Sequence, residues 1–171
     1  MWGKRPRKID DSERVVKDRE RSQRRTMDRA VRLLAAKPRS VQELKDRLLE
    51  KVWTDTDIVD VVIAKLREYK YLDDDQYARD LALSKLRQKP QGRRRLQQRL
   101  SQKKIDPSTL DTAIRTAFEV YPESGLIDVA IEKRVRLKGV PQSHNDRKKL
   151  TEHLLRSGFD YALIREKLSK L

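Results

Sequence analysis

The sequence has no cysteine, and glycine, proline and aromatic residues are scarce. Without cysteine the protein cannot form disulfide bonds or use a thiol in catalysis, and this composition suits a reducing cytoplasm. No apolar run approaches the roughly 18–20 residues of a membrane span. No apolar segment follows the basic residues 1–8, as a secretory signal would require. We therefore expect a cytoplasmic protein that does not associate with a membrane.

Residues arranged for catalysis or metal binding are also missing. The two histidines, His144 and His153, are nine residues apart and have no cysteine partner, which argues against a zinc site. The three aspartates at 73–75 lack the glycine turn and further oxygen ligands of a calcium loop, so we interpret them as a helix cap and first turn. With no phosphate-binding loop and no identifiable catalytic triad, we predict a protein that is not an enzyme and uses no cofactor or metal.

Large apolar stretches are lacking as well. Apolar residues make up 36% of the chain and charged residues 40%. Globular domains average about 45–50% apolar and about 25% charged residues. Such a chain cannot build one large core, but it can cover several narrow seams between helices.

The net charge of +15 is unevenly distributed along the chain. Residues 81–104 contain nine Lys or Arg and no acid, whereas residues 53–80 contain eight acids and four bases. A solvated surface would mix the two signs more evenly. The distribution predicts an anionic partner, either nucleic acid or an acidic protein surface.

An apolar pattern occurs three times: a leucine, a second leucine four residues later, and two bulky apolar residues at further intervals of five. The copies are Leu44, Leu48, Trp53 and Ile58; Leu96, Leu100, Ile105 and Leu110; and Leu150, Leu154, Phe159 and Ile164. Their first leucines lie 52 and 54 residues apart, a period typical of tandem repeats. A repeat array that presents surfaces rather than one pocket points away from an enzyme.

The pattern has an explanation in helix capping. In each copy the third apolar residue precedes a predicted helix N-cap, and it would clasp the fourth apolar residue as a hydrophobic staple. These caps are predicted at Thr54, Asp106 and Asp160, and the caps of the preceding helices at Ser40, Gly92 and Asp146.

Each unit has a further helix ahead of this pair, predicted at about 26–37, 74–89 and 123–138 from apolar spacings of three and four. The chain therefore reads as all-α, with nine helices in three tandem three-helix units over 26–72, 73–121 and 122–171. Residues 1–25 form a basic N-terminal extension. We expect disorder over residues 1–9, and either disorder or a charged backward extension of the first helix over the rest.

The acid-free stretch supplies the candidate binding residues. On a helix that starts after Gly92, Leu96 and Leu100 mark the buried side, while Arg94 and Arg95 face solvent. A charge run is often only a solvated face, but the absence of acids favours a site for phosphates or acidic side chains. The predicted site consists of Lys85, Arg87, Lys89, Arg93, Arg94, Arg95, Arg99, Lys103 and Lys104.

In the order and spacing of its capping residues the chain resembles the RecX family, regulatory proteins that modulate the RecA recombinase. The matching residues are 28–35, Ser40, Glu43, Leu44, 71–74, Tyr77, Ala78, Lys89, Gly92, Leu96, Leu100, Ile105 and 155–159. The resemblance covers about residues 26–171 and implies three-helix bundles in an elongated, curved array. It also implies binding in the groove of a RecA-type filament on single-stranded DNA, with inhibition of ATP hydrolysis and strand exchange.

The sequence departs from the family pattern at four positions. Lys70, Lys104 and Pro90 stand where the family usually has glycine, and Arg93 stands where proline is common. We therefore expect these turns to be built differently.

Two other classes of function stay open. A stand-alone nucleic-acid-binding protein could use a three-helix unit as a helix-turn-helix, although the acidic starts of the third helices argue against it. A structural helical-repeat adaptor for an acidic protein is also compatible with the charge. Nothing in the sequence predicts self-association, so we expect a monomer.

Overall fold

The computed structural model describes residues 9–171, and in this range it has nine α-helices and no strand. The helices are α1 (Arg19–Ala36), α2 (Val41–Leu48), α3 (Thr56–Glu68), α4 (Asp74–Gln88), α5 (Arg93–Leu100), α6 (Pro107–Val120), α7 (Glu123–Lys138), α8 (His144–Arg156) and α9 (Tyr161–Leu168). The predicted all-α class is confirmed, and the predicted bounds of α7 are those observed. Of the helices in the described range, none combines the length and the apolar character needed to cross a bilayer.

The described residues form two compact units. The first contains residues 9–77 together with Lys103–Ile105, and the second contains Ala78–Gln102 and Asp106–Leu171. In the first unit α1, α2 and α3 pack on one another. Their shared core is a cluster of small and aliphatic side chains: Ala30, Leu44, Leu48, Val59, Val62, Ile63, Leu66 and Leu72. In the second unit α5 packs on α6, while α7, α8 and α9 pack on one another.

Four of the six predicted N-caps are confirmed, at Ser40, Gly92, Asp106 and Asp160. The prediction at Asp146 is wrong, because Ser143 caps α8 and Asp146 completes a capping box from the third helical position.

The predicted cap at Thr54 is also wrong, because α3 begins one residue later and is capped by Asp55. Thr54 is fully buried, and its hydroxyl is hydrogen-bonded to that of Thr26 at 2.9 Å. The predicted staple between Trp53 and Ile58 is therefore out of register. Trp53 instead lies against the guanidinium of Arg25, 4.3 Å from the ring centroid.

The helix α1 begins at Arg19, so it includes part of the predicted N-terminal extension. Residues ahead of it are attached to the first unit by Arg14, whose side chain is 5% exposed. Its guanidinium donates to the carbonyls of Leu49, Lys51 and Thr54 at 3.0–3.1 Å. The predicted disorder of residues 1–9 concerns a segment that, except for residue 9, lies outside the described residues.

A polar network closes the first unit where α2 and α4 begin. The Ser40 hydroxyl donates to the Lys103 carbonyl at 2.6 Å, and the Lys103 ammonium donates to Glu43 at 3.1 Å. The backbone N–H of Val41 donates to Asp74 at 2.9 Å. Burial raises the pKa of the Asp74 carboxyl above its ordinary value, against the opposing effect of that N–H. Several residues that carry the family resemblance thus have a structural role here.

Two lysines, at positions where the resemblance led us to expect glycine, adopt the backbone conformation that glycine favours. Lys70 has φ 59° and Lys104 has φ 54°. At the end of α3 the Lys70 N–H donates to Arg67 and the Tyr71 N–H to Leu66, the hydrogen-bond pattern of a Schellman motif. A left-handed conformation is unfavourable for lysine because its Cβ approaches the following carbonyl oxygen.

In the second unit, the start of α5 touches the turn between α8 and α9 through two glycines. The Gly92 N–H donates to the Ser157 carbonyl at 3.0 Å. A Cβ on Gly92 would lie 2.2 Å from the Gly158 oxygen, and one on Gly158 would lie 2.4 Å from the Arg95 nitrogen. Gly158 also has φ +89°, since it occupies the left-handed position after α8. Neither position can hold a side chain while the backbones stay this close.

We expect Gly158→Ala to lower the free energy of unfolding by about 2–4 kcal/mol, because it combines left-handed strain with a backbone clash. Urea unfolding of the full chain measures this. Gly125→Ala is the matched control, because a Cβ there meets nothing within 4 Å and should stabilise α7 by about 0.5 kcal/mol. Equal effects of the two substitutions would contradict the proposed close contact.

We expect Lys70→Gly to raise the free energy of unfolding by about 0.5–1 kcal/mol, since relief of left-handed strain exceeds the added backbone entropy of glycine. Lys104→Gly should raise the free energy of unfolding less, because it also removes the ion pair with Asp46. Thermal unfolding of both variants beside the parent protein tests this order, and a destabilised Lys70→Gly would contradict it.

Candidate functional site

The helix α5 presents its arginines to solvent in the predicted orientation. Leu96 and Leu100 are fully buried, whereas Arg94 and Arg95 are exposed and Arg99 is half-buried at the flank. Leu96 and Leu100 are four residues apart and so define one face of the helix. The buried pair therefore directs the arginines outward.

Two contacts hold the first turn of α5. Gly92 has no side chain to cap the helix, and the carboxylate of Glu123 instead accepts from the Arg93 N–H at 2.9 Å. The Arg93 guanidinium lies over the ring of Phe118, 5.0 Å from its centroid. Arg94 is exposed and forms no ion pair with residues 9–171.

A basic cavity lies where α5 meets the end of α8. It has a volume of about 140 Å³, and its lining consists of Lys89, Gln91, Arg95, Arg99, His153, Arg156 and Ser157. No lining residue is acidic. Exposed Arg95 and Arg156 make the cavity accessible from solvent. An anion that entered it would meet guanidinium and ammonium groups from two helices and a turn.

Gln91 is the one lining residue that is almost completely buried, with 1% of its surface exposed. Its Nε2 donates to the Lys85 carbonyl over a long 3.4 Å. Its Oε1 is buried and has no hydrogen-bond partner among the described residues. Buried amide oxygens normally accept a hydrogen bond, which a guanidinium of the lining can supply if it turns toward the amide.

His153 reports the electrostatic character of the cavity. Burial lowers the pKa of its imidazole below the ordinary 6.5, and the positive charges of Arg134, Arg156 and Lys89 lower it further. Near neutral pH the imidazole is therefore uncharged, and the formal positive charge of the cavity comes from its arginines and lysine.

The nine predicted binding residues are divided between different surroundings. Lys89, Arg95 and Arg99 line the cavity. Lys103 and Lys104 lie in the first unit, where Lys103 pairs with Glu43 and Lys104 with Asp46. Burial would lower the pKa of Lys103, but the hydrogen bond to Glu43 and the charges of Glu43 and Tyr77 raise it above its ordinary value.

The remaining predicted residues lie on helices of the second unit. Lys85 is half-buried and Arg87 exposed on the last turn of α4, and Arg93 and Arg94 lie on the first turn of α5. None of these four lines the cavity.

Sequence reasoning missed the residues that complete the cavity, namely Gln91, His153, Arg156 and Ser157. The family-like segment 155–159 was the only available signal, and it did not indicate which element it contacts. Nothing in the sequence around His153 indicates that it joins this cavity. Within the part of the chain that the structure describes, no cluster of three or more His, Cys, Asp or Glu side chains is placed to hold a metal.

Comparison with known families gives two matches. The family model for the first three-helix domain of RecX matches residues 27–66, and that for the second three-helix domain of RecX matches residues 73–114.

Curated relatives extend the similarity over most of the chain. The regulatory protein RecX of Prosthecochloris aestuarii is 32% identical over 86% of this chain and 94% of its own length. The regulatory protein RecX of Chlorobaculum tepidum is 33% identical over 82% of this chain and 84% of its own. The crystal structure of RecX from Lactobacillus salivarius has a TM-score of 0.74 and 21% identity, over 89% of this chain and 99% of that one. The last comparison shows a shared fold.

We expect the stability of the protein to fall as the pH drops from about 6.5 through the lower pKa of folded His153. The unfolded imidazole takes up a proton before the folded one does, so acid favours unfolding. Urea unfolding between pH 7.5 and 5 should show a smaller loss of stability for His153→Gln than for the parent protein. The variant His144→Gln, which replaces the other histidine, should lose as much stability as the parent protein. A pKa of His153 above 6.5 by NMR would contradict the expectation.

Proposed function

We propose that this chain, which belongs to the RecX family, regulates a RecA-type recombinase by binding the filament that the recombinase forms on single-stranded DNA. Binding inhibits ATP hydrolysis and strand exchange and so modulates recombination and DNA repair. The protein acts in the cytoplasm as a monomer and catalyses no reaction itself.

The observation that carries this proposal is the basic surface of the second unit. Arg94 and Arg95 are exposed on α5, and the neighbouring cavity has no acidic lining residue. Such a surface attracts either the phosphates of DNA or acidic side chains of the recombinase. Many modest contacts along a filament would add up to strong binding, as they do for other repeat proteins.

A stand-alone nucleic-acid-binding protein is the second candidate. In a helix-turn-helix, the second of the two helices enters the major groove with its N-terminal residues at the base edges. In this protein α3 is capped by Asp55 and has Asp57 in its first turn, and α6 is capped by Asp106. Carboxylates at these positions would repel the DNA backbone, which disfavours groove reading by α3 or α6.

One titration separates the candidates. Single-stranded-DNA-dependent ATP hydrolysis by a RecA-type recombinase is measured while this protein is added. Inhibition well below one copy per recombinase supports filament regulation, because each bound protein then affects several subunits. Inhibition only at high ratio indicates competition for DNA. No inhibition, together with sequence-selective duplex binding, supports the second candidate.

We expect the double substitution Arg94→Glu, Arg95→Glu to raise the concentration for half-inhibition at least about tenfold, because two exposed cations become anions. Helicity should be unchanged, since both side chains face water. Arg21→Glu with Arg24→Glu on the exposed side of α1 makes the same charge change elsewhere and should retain most of the inhibition. Normal inhibition by the α5 variant would show that α5 is not the binding surface.

A further inference from the structure

We propose that the cavity between α5 and the end of α8 binds one backbone phosphate of single-stranded DNA, held by Arg95, Arg99, Arg156 and Lys89. This inference rests on the proposed function, because it assigns the DNA contact of that function to a defined site. It adds to the predicted residues Gln91 of the turn before α5 and Arg156 of the last turn of α8.

The cations of the cavity have too few acidic partners to neutralise their charge. Arg95 donates to the neutral Gln98 at 2.9 Å, and Arg156 lies 3.8 Å from Glu152 in an exposed pair one helical turn away. Neither Arg99 nor Lys89 has an ion pair among the described residues. Because like charges gathered in one place repel, an anion that binds among them relieves an unfavourable arrangement.

The backbone fixes this arrangement before any ligand arrives. The Gly92 N–H donates to Ser157, and the Gly158 Cα faces the Arg95 backbone with no room for a Cβ. Arg95 and Arg156 are consequently carried on main-chain segments that are already in contact. A binding site whose charged groups are held by rigid backbone loses less entropy on binding than one built on loops.

Gln91 supplies the second, independent observation. The amide is buried, its Nε2 makes only the long contact with the Lys85 carbonyl, and its Oε1 is unpaired. Because an amide oxygen accepts, Oε1 can hold a guanidinium N–H of the lining in place, while the other N–H groups of that guanidinium stay available to an anion.

The surroundings of the cavity suit a strand of phosphates better than a single carboxylate. A backbone phosphate and a carboxylate each present two charged oxygens that guanidinium groups bind. A DNA strand differs from a single carboxylate because it carries a row of such anions at regular spacing. Arg87, Arg93 and Arg94 lie on the adjoining ends of α4 and α5, where the neighbouring phosphates of a strand would find further cations.

Gln91→Glu tests the proposal with almost no change of shape. The new carboxylate would occupy the cavity with a negative charge and pair with the arginines, so it would exclude a phosphate. We expect the affinity of the full chain for a fluorescent oligothymidylate to fall at least about tenfold, and the salt dependence of binding to weaken by about one phosphate contact. The melting temperature should rise or stay the same.

Gln97→Glu is the matched control, because it makes the same change of charge on the exposed side of α5, outside the cavity lining. It should reduce the affinity no more than about threefold. Equal losses for the two variants would mean that only net charge matters, and an unchanged affinity of Gln91→Glu would mean that the cavity does not hold DNA. Either result overturns the proposal, as does failure of the parent protein to bind the oligonucleotide.

A second pair of variants keeps the test valid if Gln91→Glu does not fold. Arg156→Gln changes an exposed cavity residue of α8, and Arg115→Gln changes an exposed arginine of α6 in the same unit. We expect only Arg156→Gln to weaken oligonucleotide binding, by about fivefold. Equal binding by the two variants overturns the proposal.

These assays contain no recombinase, so they separate the site from the function. The cavity variants could lose oligonucleotide binding selectively while the parent protein has no effect on a recombinase. That combination contradicts only the proposed function. Inhibition of the recombinase by the parent protein, lost in Gln91→Glu although oligonucleotide binding is intact, would indicate an acidic protein partner and overturn the phosphate assignment.

Discussion

The contact of Gly92 with the Ser157–Gly158 turn is the constraint on which the candidate site depends. Two backbones approach so closely that a Cβ on either glycine would overlap main-chain atoms. This contact places the first turn of α5 beside the last turn of α8. The arginines of both helices then line one cavity, although their positions in the chain are far apart. Glycine is required here for the space it leaves, and at Gly158 also for its positive φ.

The positive charge of the protein serves two purposes. Arg14 stabilises the first unit by donating hydrogen bonds to the backbone carbonyls of three residues that follow α2. Lys103 stabilises the same unit through an ion pair with Glu43. The cavity cations, by contrast, face one another without an acidic lining residue. Stability needs the first kind of cation, and a phosphate-binding function needs the second. The formal charge of +15 alone does not distinguish them.

Much of the fold could be predicted because helix ends follow local rules. Pro107 after Asp106 and the Gly158 turn are both governed by residues a few positions away, and the observed caps agree with them. The prediction of Thr54 as the N-cap of α3 was wrong because Thr54, Asp55 and Thr56 are all acceptable N-caps in isolation. The burial of Thr54 against Thr26 decided the register, and this contact lies 28 residues away in the chain. Local rules have no access to such a contact.

The candidate site divides in the same way. The sequence by itself determined the all-α class, the acid-free block and the exposure of Arg94 and Arg95, because helical periodicity and local charge are properties of neighbouring residues. Only the tertiary structure decided that Lys103 and Lys104 pair with acids of α2, whereas Arg95 and Arg99 join His153 and Arg156. Which cations meet is set by packing between segments distant in the chain, and here by two glycines whose lack of a side chain lets the segments touch.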